Sequence, residues 1–128
     1  MNICKAFTME SPREALSHIN ENCDLVEDYG DTAYGHDLYA WDAGGRTLKY
    51  CRECKAYIFI QGSEDRGSEA RCYTDVYAVK SPKEADKLNK KYSGWDLDYN
   101  YKSKYPVLSY RSGNGPAHGW HWRNRKKK

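Results

Sequence analysis

Two well-marked helix starts and a central stretch of strand-like segments predict an α+β fold, a small, mostly antiparallel sheet with two helices packed on it. The chain has 128 residues, which suits one domain. Only 39% of the residues are hydrophobic while 14% are aromatic, so we expect a thin core. A core of this kind needs further support from a metal ion, a disulfide or a partner.

The two helix starts share one pattern, a Ser-Pro pair followed by Glu three residues after the Ser. Ser caps free backbone N–H groups, Pro suits the first helical position, and the Glu completes a capping box. The sequence therefore predicts helices over about residues 12–22 and 82–92. Ala15, Leu16 and Ile19 give the first helix a narrow apolar stripe.

Most of the predicted strands lie between these helices. Their ranges are 37–41, 46–50, 56–61 and 72–79, with shorter strands at 97–101 and 107–110. A turn at 42–45 joins the first two strands into a hairpin, and the polar stretch 62–70 predicts a loop. Residues 72–79 alternate, so that Tyr77 and Val79 share one face while Val76 and Ala78 share the other.

The cellular compartment decides how the five cysteines are interpreted. The N-terminus does not resemble a signal peptide, and no run of about 18 apolar residues occurs, so we expect a cytoplasmic protein without a membrane span. Thiols stay reduced there, and closely spaced cysteines are typical of metal ligands or redox groups. The odd number of cysteines also argues against an all-disulfide scheme.

Cys51 and Cys54 form a Cys-x-x-Cys motif between two predicted strands. Zn²⁺ prefers four tetrahedral Cys or His ligands, and two thiolates of one tight turn can bind the same ion. The strand–turn–strand setting predicts a structural zinc knuckle. The alternative is a redox pair, but such a pair usually lies at a helix N-terminus, whereas strand-like residues follow Cys54.

The other two ligands must come from elsewhere in the chain. The candidates are Cys4, His18, Cys23, His36, Cys72, His118 and His121. We favour Cys23, just past the first helix, and His36, ahead of the predicted hairpin, with Cys72 in reserve. Cys23 and Cys72 are equally compatible with small buried hydrophobic residues, and His36 with an ordinary loop histidine.

Catalytic motifs do not emerge from the sequence. We find no zinc-hydrolase, deaminase, nucleophile-elbow or phosphate-loop motif, so we expect a protein that is not an enzyme. The acidic residues that follow the first helix, Asp24, Glu27, Asp28 and Asp31, predict a solvated loop rather than an acid–base pair.

The C-terminal region is aromatic and then basic. Trp120 and Trp122 would share one face of a last strand that covers a Trp-rich core. Aromatic side chains dominate the energetics of interfaces, so we select as partner-binding candidates Tyr99, Tyr101, Tyr105, Trp120 and Trp122. We divide the chain into a domain over 1–122 and a tail over 123–128, which carries five basic side chains and leaves the domain slightly acidic. The tail keeps nucleic-acid binding as a secondary hypothesis.

The residues that carry a family resemblance are 51–61, Ser63-Glu64, 73–79 and 84–92, preceded by 36–39. They resemble a family of small proteins carried on mobile elements of Gram-positive gut bacteria. In that family a Gly usually follows the second Cys, where this chain has Lys55. The family also tends to place a His shortly after the Ser-Glu, where this chain has Asp65-Arg66.

Some small zinc-containing proteins of this kind resemble type II-A anti-CRISPR proteins, which inhibit Cas9. The resemblance implies a zinc-stabilised protein that binds Cas9, alone or with its guide RNA, and blocks target-DNA binding or cleavage. Because the domain is only slightly acidic, it is a poor imitation of DNA, so we expect it to bind a protein surface rather than to occupy the whole DNA channel. The alternative is a zinc-ribbon-like nucleic-acid-binding accessory protein of a phage or mobile element.

Overall fold

The computed structural model describes residues 3–30, 45–65, 71–92, 101–111 and 119–123. Its elements are a 3-10 turn over Lys5–Thr8, the helices α1 (Pro12–Asn22) and α2 (Pro82–Lys91), and the strands β1 (Cys23–Gly30), β2 (Gly45–Cys51), β3 (Ala56–Asp65), β4 (Arg71–Val79), β5 (Val107–Arg111) and β6 (Gly119–Arg123). The strands pair antiparallel in the order in which they follow in the chain. The predicted α+β class is confirmed.

Both helices begin where their caps predict. The Ser11 hydroxyl accepts a hydrogen bond from the Glu14 backbone N–H at 3.3 Å, and the Ser81 hydroxyl accepts one from Glu84 at 3.2 Å. The bounds predicted for α1 are confirmed. The helix α2 ends at Lys91, one residue before its predicted end, because Tyr92 is its C-cap.

The sheet is covered on both faces. On one face, α1 and the 3-10 turn pack over a core cluster that includes Ile58 and Val76. On the other face, α2 packs over a second cluster that includes Phe59 and Tyr77. Successive residues of a strand point to opposite faces, so the alternation predicted for 72–79 is confirmed for Val76 to Val79.

A buried arginine attaches α2 to the sheet. The Arg46 side chain is fully buried on β2, and its guanidinium donates to the Asn89 carbonyl at 3.2 Å and to the Tyr92 carbonyl at 2.8 Å. These carbonyls lie at the C-terminal end of α2, where backbone acceptors lack partners within the helix and the helix dipole favours a cation.

The strand β1 is a correction to the sequence prediction, which placed a solvated acidic loop after the first helix. It lies at the edge of the sheet, where Leu25 and Val26 are 59% and 49% exposed. Two register shifts against β2, one between Leu25 and Glu27, interrupt the pairing. These shifts break the alternation by which a strand is recognised, and the exposed edge tolerates charged residues.

Other strand boundaries also differ from the prediction. Residues 62–65 continue β3 instead of starting a loop. The neighbours of β2 are β1 and β3, so β1 takes the place that the sequence assigned to 37–41, a range outside the described residues. Residues 97–100 also lie outside the described residues, and Tyr101 precedes β5 without belonging to a strand.

The predicted last strand is confirmed as β6. Trp120 and Trp122 pack against the core cluster beneath α1, and the Trp122 indole N–H donates to the Glu10 carbonyl at 3.0 Å. The strand extends to Arg123, whose guanidinium lies 3.1 Å from the buried Asp75 carboxylate of β4. Arg123 therefore belongs to the sheet rather than to the tail. Among the described residues, no helix is long and apolar enough to cross a membrane.

Candidate metal centre

The turn between β2 and β3 forms the predicted knuckle. Cys51 ends β2, Ala56 begins β3, and the Lys55 N–H donates to the Cys51 carbonyl at 2.8 Å. Lys55 has a φ of 54°, in the left-handed region that favours Gly. The Cys54 N–H donates to the Cys51 sulfur at 3.4 Å, so the turn orients this sulfur and stabilises negative charge on it.

Four donor atoms converge beside this turn. The ligand atoms of Cys4, His18, Cys51 and Cys54 all lie within 4.8 Å of one another, close enough to hold a metal ion. The Nε2 atom of His18 lies 3.4 Å from the Cys51 sulfur and 3.6 Å from the Cys54 sulfur. Usual Zn–S and Zn–N bond lengths in a tetrahedron place such a nitrogen and sulfur about 3.6 Å apart. These two nitrogen–sulfur distances therefore fit a tetrahedral ion.

Separate elements supply the two donors outside the knuckle. His18 lies on the buried stripe of α1 with Ala15 and Ile19, and its side chain is 6% exposed. Cys4 is fully buried and immediately precedes the 3-10 turn, in which the Phe7 N–H donates to the Cys4 carbonyl at 3.1 Å. A metal ion here would join the N-terminal segment, α1 and the β2–β3 turn.

Lys5 and Glu53 place one positive and one negative charge beside the four donors. The Lys5 N–H donates to the Cys54 sulfur at 3.3 Å, and the Lys5 ammonium pairs with the Glu53 carboxylate. An oxygen of Glu53 lies 4.0 Å from Nδ1 of His18. A His that binds metal through Nε2 needs an acceptor for its Nδ1 proton, and carboxylates commonly serve this purpose. In the structure the side-chain nitrogen of Asn22 lies closer, at 3.2 Å from Nδ1, so Glu53 would have to replace Asn22 there to take that role.

Backbone contacts hold the knuckle against α1. The Arg52 N–H donates to the Asn22 carbonyl at 2.9 Å, and the Arg52 guanidinium donates to the Glu21 carbonyl at 3.0 Å. The same guanidinium pairs with Asp24 at 2.6 Å. Arg52 thereby satisfies carbonyls at the end of α1 and fixes the distance between His18 and the two knuckle cysteines.

The surroundings of two of the thiols favour their neutral form. A hydrogen bond with Cys23, followed by burial, raises the pKa of Cys4, and burial raises the pKa of Cys51. Desolvation disfavours an isolated thiolate, whereas a bound cation stabilises it. The site therefore suits a metal ion that displaces the thiol protons.

Comparison with known proteins found no match. No protein-family model, curated protein or solved structure matches the chain.

The structure brings some of the sequence candidates together and leaves others apart. Cys51 and Cys54 are both in the donor group, and the partners that join them are Cys4 and His18. Cys23, which the sequence favoured, is not in this group, although it pairs across the strands with Cys51. His36 lies outside the described residues.

The remaining candidates lie elsewhere. Cys72 lies on β4, where it pairs with Glu64 of β3, and the Cys72 side chain is outside the described part of the structure. His118 also lies outside it. Nδ1 of His121 lies 3.1 Å from the Gly119 carbonyl on β6. A sequence signal for His18 existed, because it extends the spacing of Ala15 and Ile19 on α1; Cys4 gave no comparable signal.

The predicted partner-binding aromatics take part in intramolecular packing. Tyr101 contacts Tyr77 edge-on at a centroid distance of 5.5 Å, and Trp120 contacts Tyr110 at 5.2 Å. Trp122 packs near Phe7 at 6.4 Å, and Tyr105 packs against the cluster beneath α1. All four predicted residues are partly exposed, and Tyr99 lies outside the described residues.

Proposed function

We propose that Cys4, His18, Cys51 and Cys54 bind Zn²⁺ as a structural ion. The observation that carries the proposal is the convergence of four protein donors in a largely buried site. A catalytic zinc keeps one coordination position open for water, whereas four protein ligands fill a tetrahedral ion. Three sulfurs and one imidazole match the Cys₃His set of structural zinc sites.

We also propose that the protein acts by binding rather than by catalysis. Glu53 is the carboxylate that the structure places beside His18, and its partner is the Lys5 ammonium. A carboxylate paired in this way is better suited to orient a metal ligand than to activate a water molecule. The role of the ion is then to hold a surface in place.

The partner we propose is Cas9, alone or with guide RNA, on the basis of the resemblance carried by residues 51–92. Binding would be stoichiometric and would block target-DNA binding or cleavage. The protein would act in the cytoplasm of the bacterial host cell.

The edge strand β1 is the surface that supports this partner best. Leu25 and Val26 are the large hydrophobic side chains that stand exposed among the described residues. The exposed acidic residues Asp24, Glu27 and Asp28 flank them. Apolar contacts ringed by charge are typical of protein interfaces, so this strip suits binding to a protein surface of the partner. The partly exposed aromatics Tyr101, Tyr105, Trp120 and Trp122 are secondary contacts.

Co-elution with a type II-A Cas9–guide RNA complex tests the proposal, together with a target-DNA cleavage assay. The zinc-loaded protein should co-elute in a fixed ratio and suppress cleavage as that ratio is reached. Leu25→Ser combined with Val26→Ser should abolish both effects while zinc content and melting temperature stay unchanged. Glu27→Lys should weaken binding, whereas the matched change Glu21→Lys on α1 should not. A wild-type protein that neither co-elutes nor inhibits would refute the choice of partner.

A further inference from the structure

A basic pocket of about 300 Å³ lies between α2 and the segment 101–105. Five lysines line it, Lys80, Lys87, Lys91, Lys102 and Lys104. The carboxylate among its described lining residues is Glu84, and the Glu84 side chain already accepts a hydrogen bond from the Lys80 backbone N–H at 3.3 Å. The pocket therefore combines a concave shape with a clear excess of positive charge.

Stability of the fold alone does not account for these lysines. On α2, Lys87 and Lys91 are four residues apart on the face that also carries Leu88, so their like charges repel each other. The dipole of α2 favours a cation near its C-terminal end and so accounts for Lys91. It does not account for Lys102 and Lys104, which come from another segment and converge on the same pocket.

Apolar and aromatic surface lies among the charges. Leu88, which is 8% exposed, and Tyr101 line the pocket. Tyr105 also borders it, although its side chain packs against the cluster beneath α1. The ring of Tyr101 is fixed by edge-on packing against Tyr77 at 5.5 Å and by Tyr92 at 6.0 Å. A partly exposed ring held rigidly offers a stacking surface at little cost in conformational entropy.

We propose that this pocket binds single-stranded nucleic acid. Its lysines would contact the phosphates, and the ring of Tyr101 would stack on an unpaired base, the combination used by proteins that bind single strands. The volume is at the lower end of the range of small-molecule sites, so it admits one or two unpaired bases but not a duplex. An acidic peptide would use the charge but not the ring of Tyr101. This binding is independent of the Cas9 proposal, and the pocket lies on the α2 side of the sheet, opposite the face that carries α1.

Fluorescence anisotropy with a labelled single strand of about ten nucleotides tests the proposal on the full, zinc-loaded chain. Lys87→Gln combined with Lys104→Gln removes two pocket charges. Lys83→Gln combined with Lys90→Gln is the matched control, because these two lysines are exposed on α2 and do not line the pocket. The pocket variant should bind about tenfold more weakly, and the slope of log affinity against log salt should fall by about 1.4. The control should bind like the wild type, because its two lysines do not line the pocket. Both variants keep the basic tail, so the tail contributes equally to the binding of each.

Four outcomes would overturn the proposal. The first is a wild type that does not bind the single strand. The second is an equal loss of affinity in the two double variants, which would show general attraction by surface charge. A duplex of the same length binding as tightly as the single strand would remove the role of the unpaired bases. Polyglutamate competing as well as an unlabelled single strand of equal charge would assign the pocket to an acidic protein segment instead.

Discussion

Cys4→Ser is the substitution that tests the donor set most directly. The ion would cross-link Cys4 to His18, which closes a loop of about 14 residues, and chain-entropy arguments assign such a cross-link about 3 kcal/mol. This free energy is a large part of the stability of a small domain, so loss of the cross-link should lower the melting temperature by roughly 10 °C. The cross-link from His18 to the knuckle would remain.

The assay compares thermal unfolding with zinc and with a chelator, because Cys4 is fully buried and Ser would also disturb the core. The zinc-dependent part of the stability isolates the ligand effect: it should be smaller in Cys4→Ser by about 3 kcal/mol. Cys23→Ser is the matched control, a neighbouring thiol outside the donor group. It should keep one tightly bound zinc and most of the zinc-dependent stability. Retention of zinc by Cys4→Ser, with its loss in Cys23→Ser, would show that the donor set is wrong.

Three further predictions concern the surroundings of the site. Lys55→Gly should stabilise the protein by about 1 kcal/mol in chemical denaturation, because Lys55 has a φ of 54°, whereas Lys55→Ala should have little effect. Glu53→Gln should weaken zinc binding about tenfold or more in a chelator competition, because His18 would lose a carboxylate acceptor near Nδ1; unchanged affinity would exclude that role. Zinc affinity should rise with pH between about 6 and 8, since the raised pKa values of Cys4 and Cys51 keep these thiols protonated until the metal displaces their protons. A pH-independent affinity would contradict this reading.

The sequence carries strong local signals for the parts of the fold that depend on local rules. Ser11 and Ser81 define helix starts by a hydrogen bond within three residues, and the structure contains both bonds. The buried strands β3 and β4 are rich in aromatic and β-branched residues because helices cover both faces of the sheet. The edge strand β1 lacks such a signal, since its bulges and exposed charges resemble a loop.

The candidate site was half predictable for the same reason. Cys51 and Cys54 lie in one turn, so their spacing alone brings them together. Cys4 reaches them only because the N-terminal segment packs against the β2–β3 turn, where the Lys5 N–H donates to the Cys54 sulfur, and nothing near Cys4 in the chain indicates this. Cys23 was a reasonable choice by position, since it pairs with Cys51 across the strands, yet the donor group includes Cys4 in its place.

Lys55 occupies a backbone conformation for which Gly is better suited. The structure puts Lys55 in the left-handed conformation that Gly adopts without strain. A bound metal that fixes both cysteines would offset the strain, so the effect of Lys55→Gly should be larger in the presence of chelator than with zinc.

The small apolar surface that each helix buries explains why a metal ion beside α1 would be useful. The core cluster beneath α1 contains small residues, including Ala6, Ala15, Ala56 and Ala78, and α1 itself buries only Ala15, His18 and Ile19 among its side chains. Burying one Ile and one Ala contributes about 3 kcal/mol, which is little for ordering an 11-residue helix. The helix α2 has a similar shortage, with Ala85 and Leu88 buried, and Arg46 compensates by binding its C-terminal carbonyls. His18 offers α1 the equivalent attachment, but an imidazole becomes a strong anchor only when it binds an ion that the sheet also binds. A metal bound by His18 and the knuckle therefore does for α1 what Arg46 does for α2, and chelation should release α1 and the N-terminal segment before it releases α2.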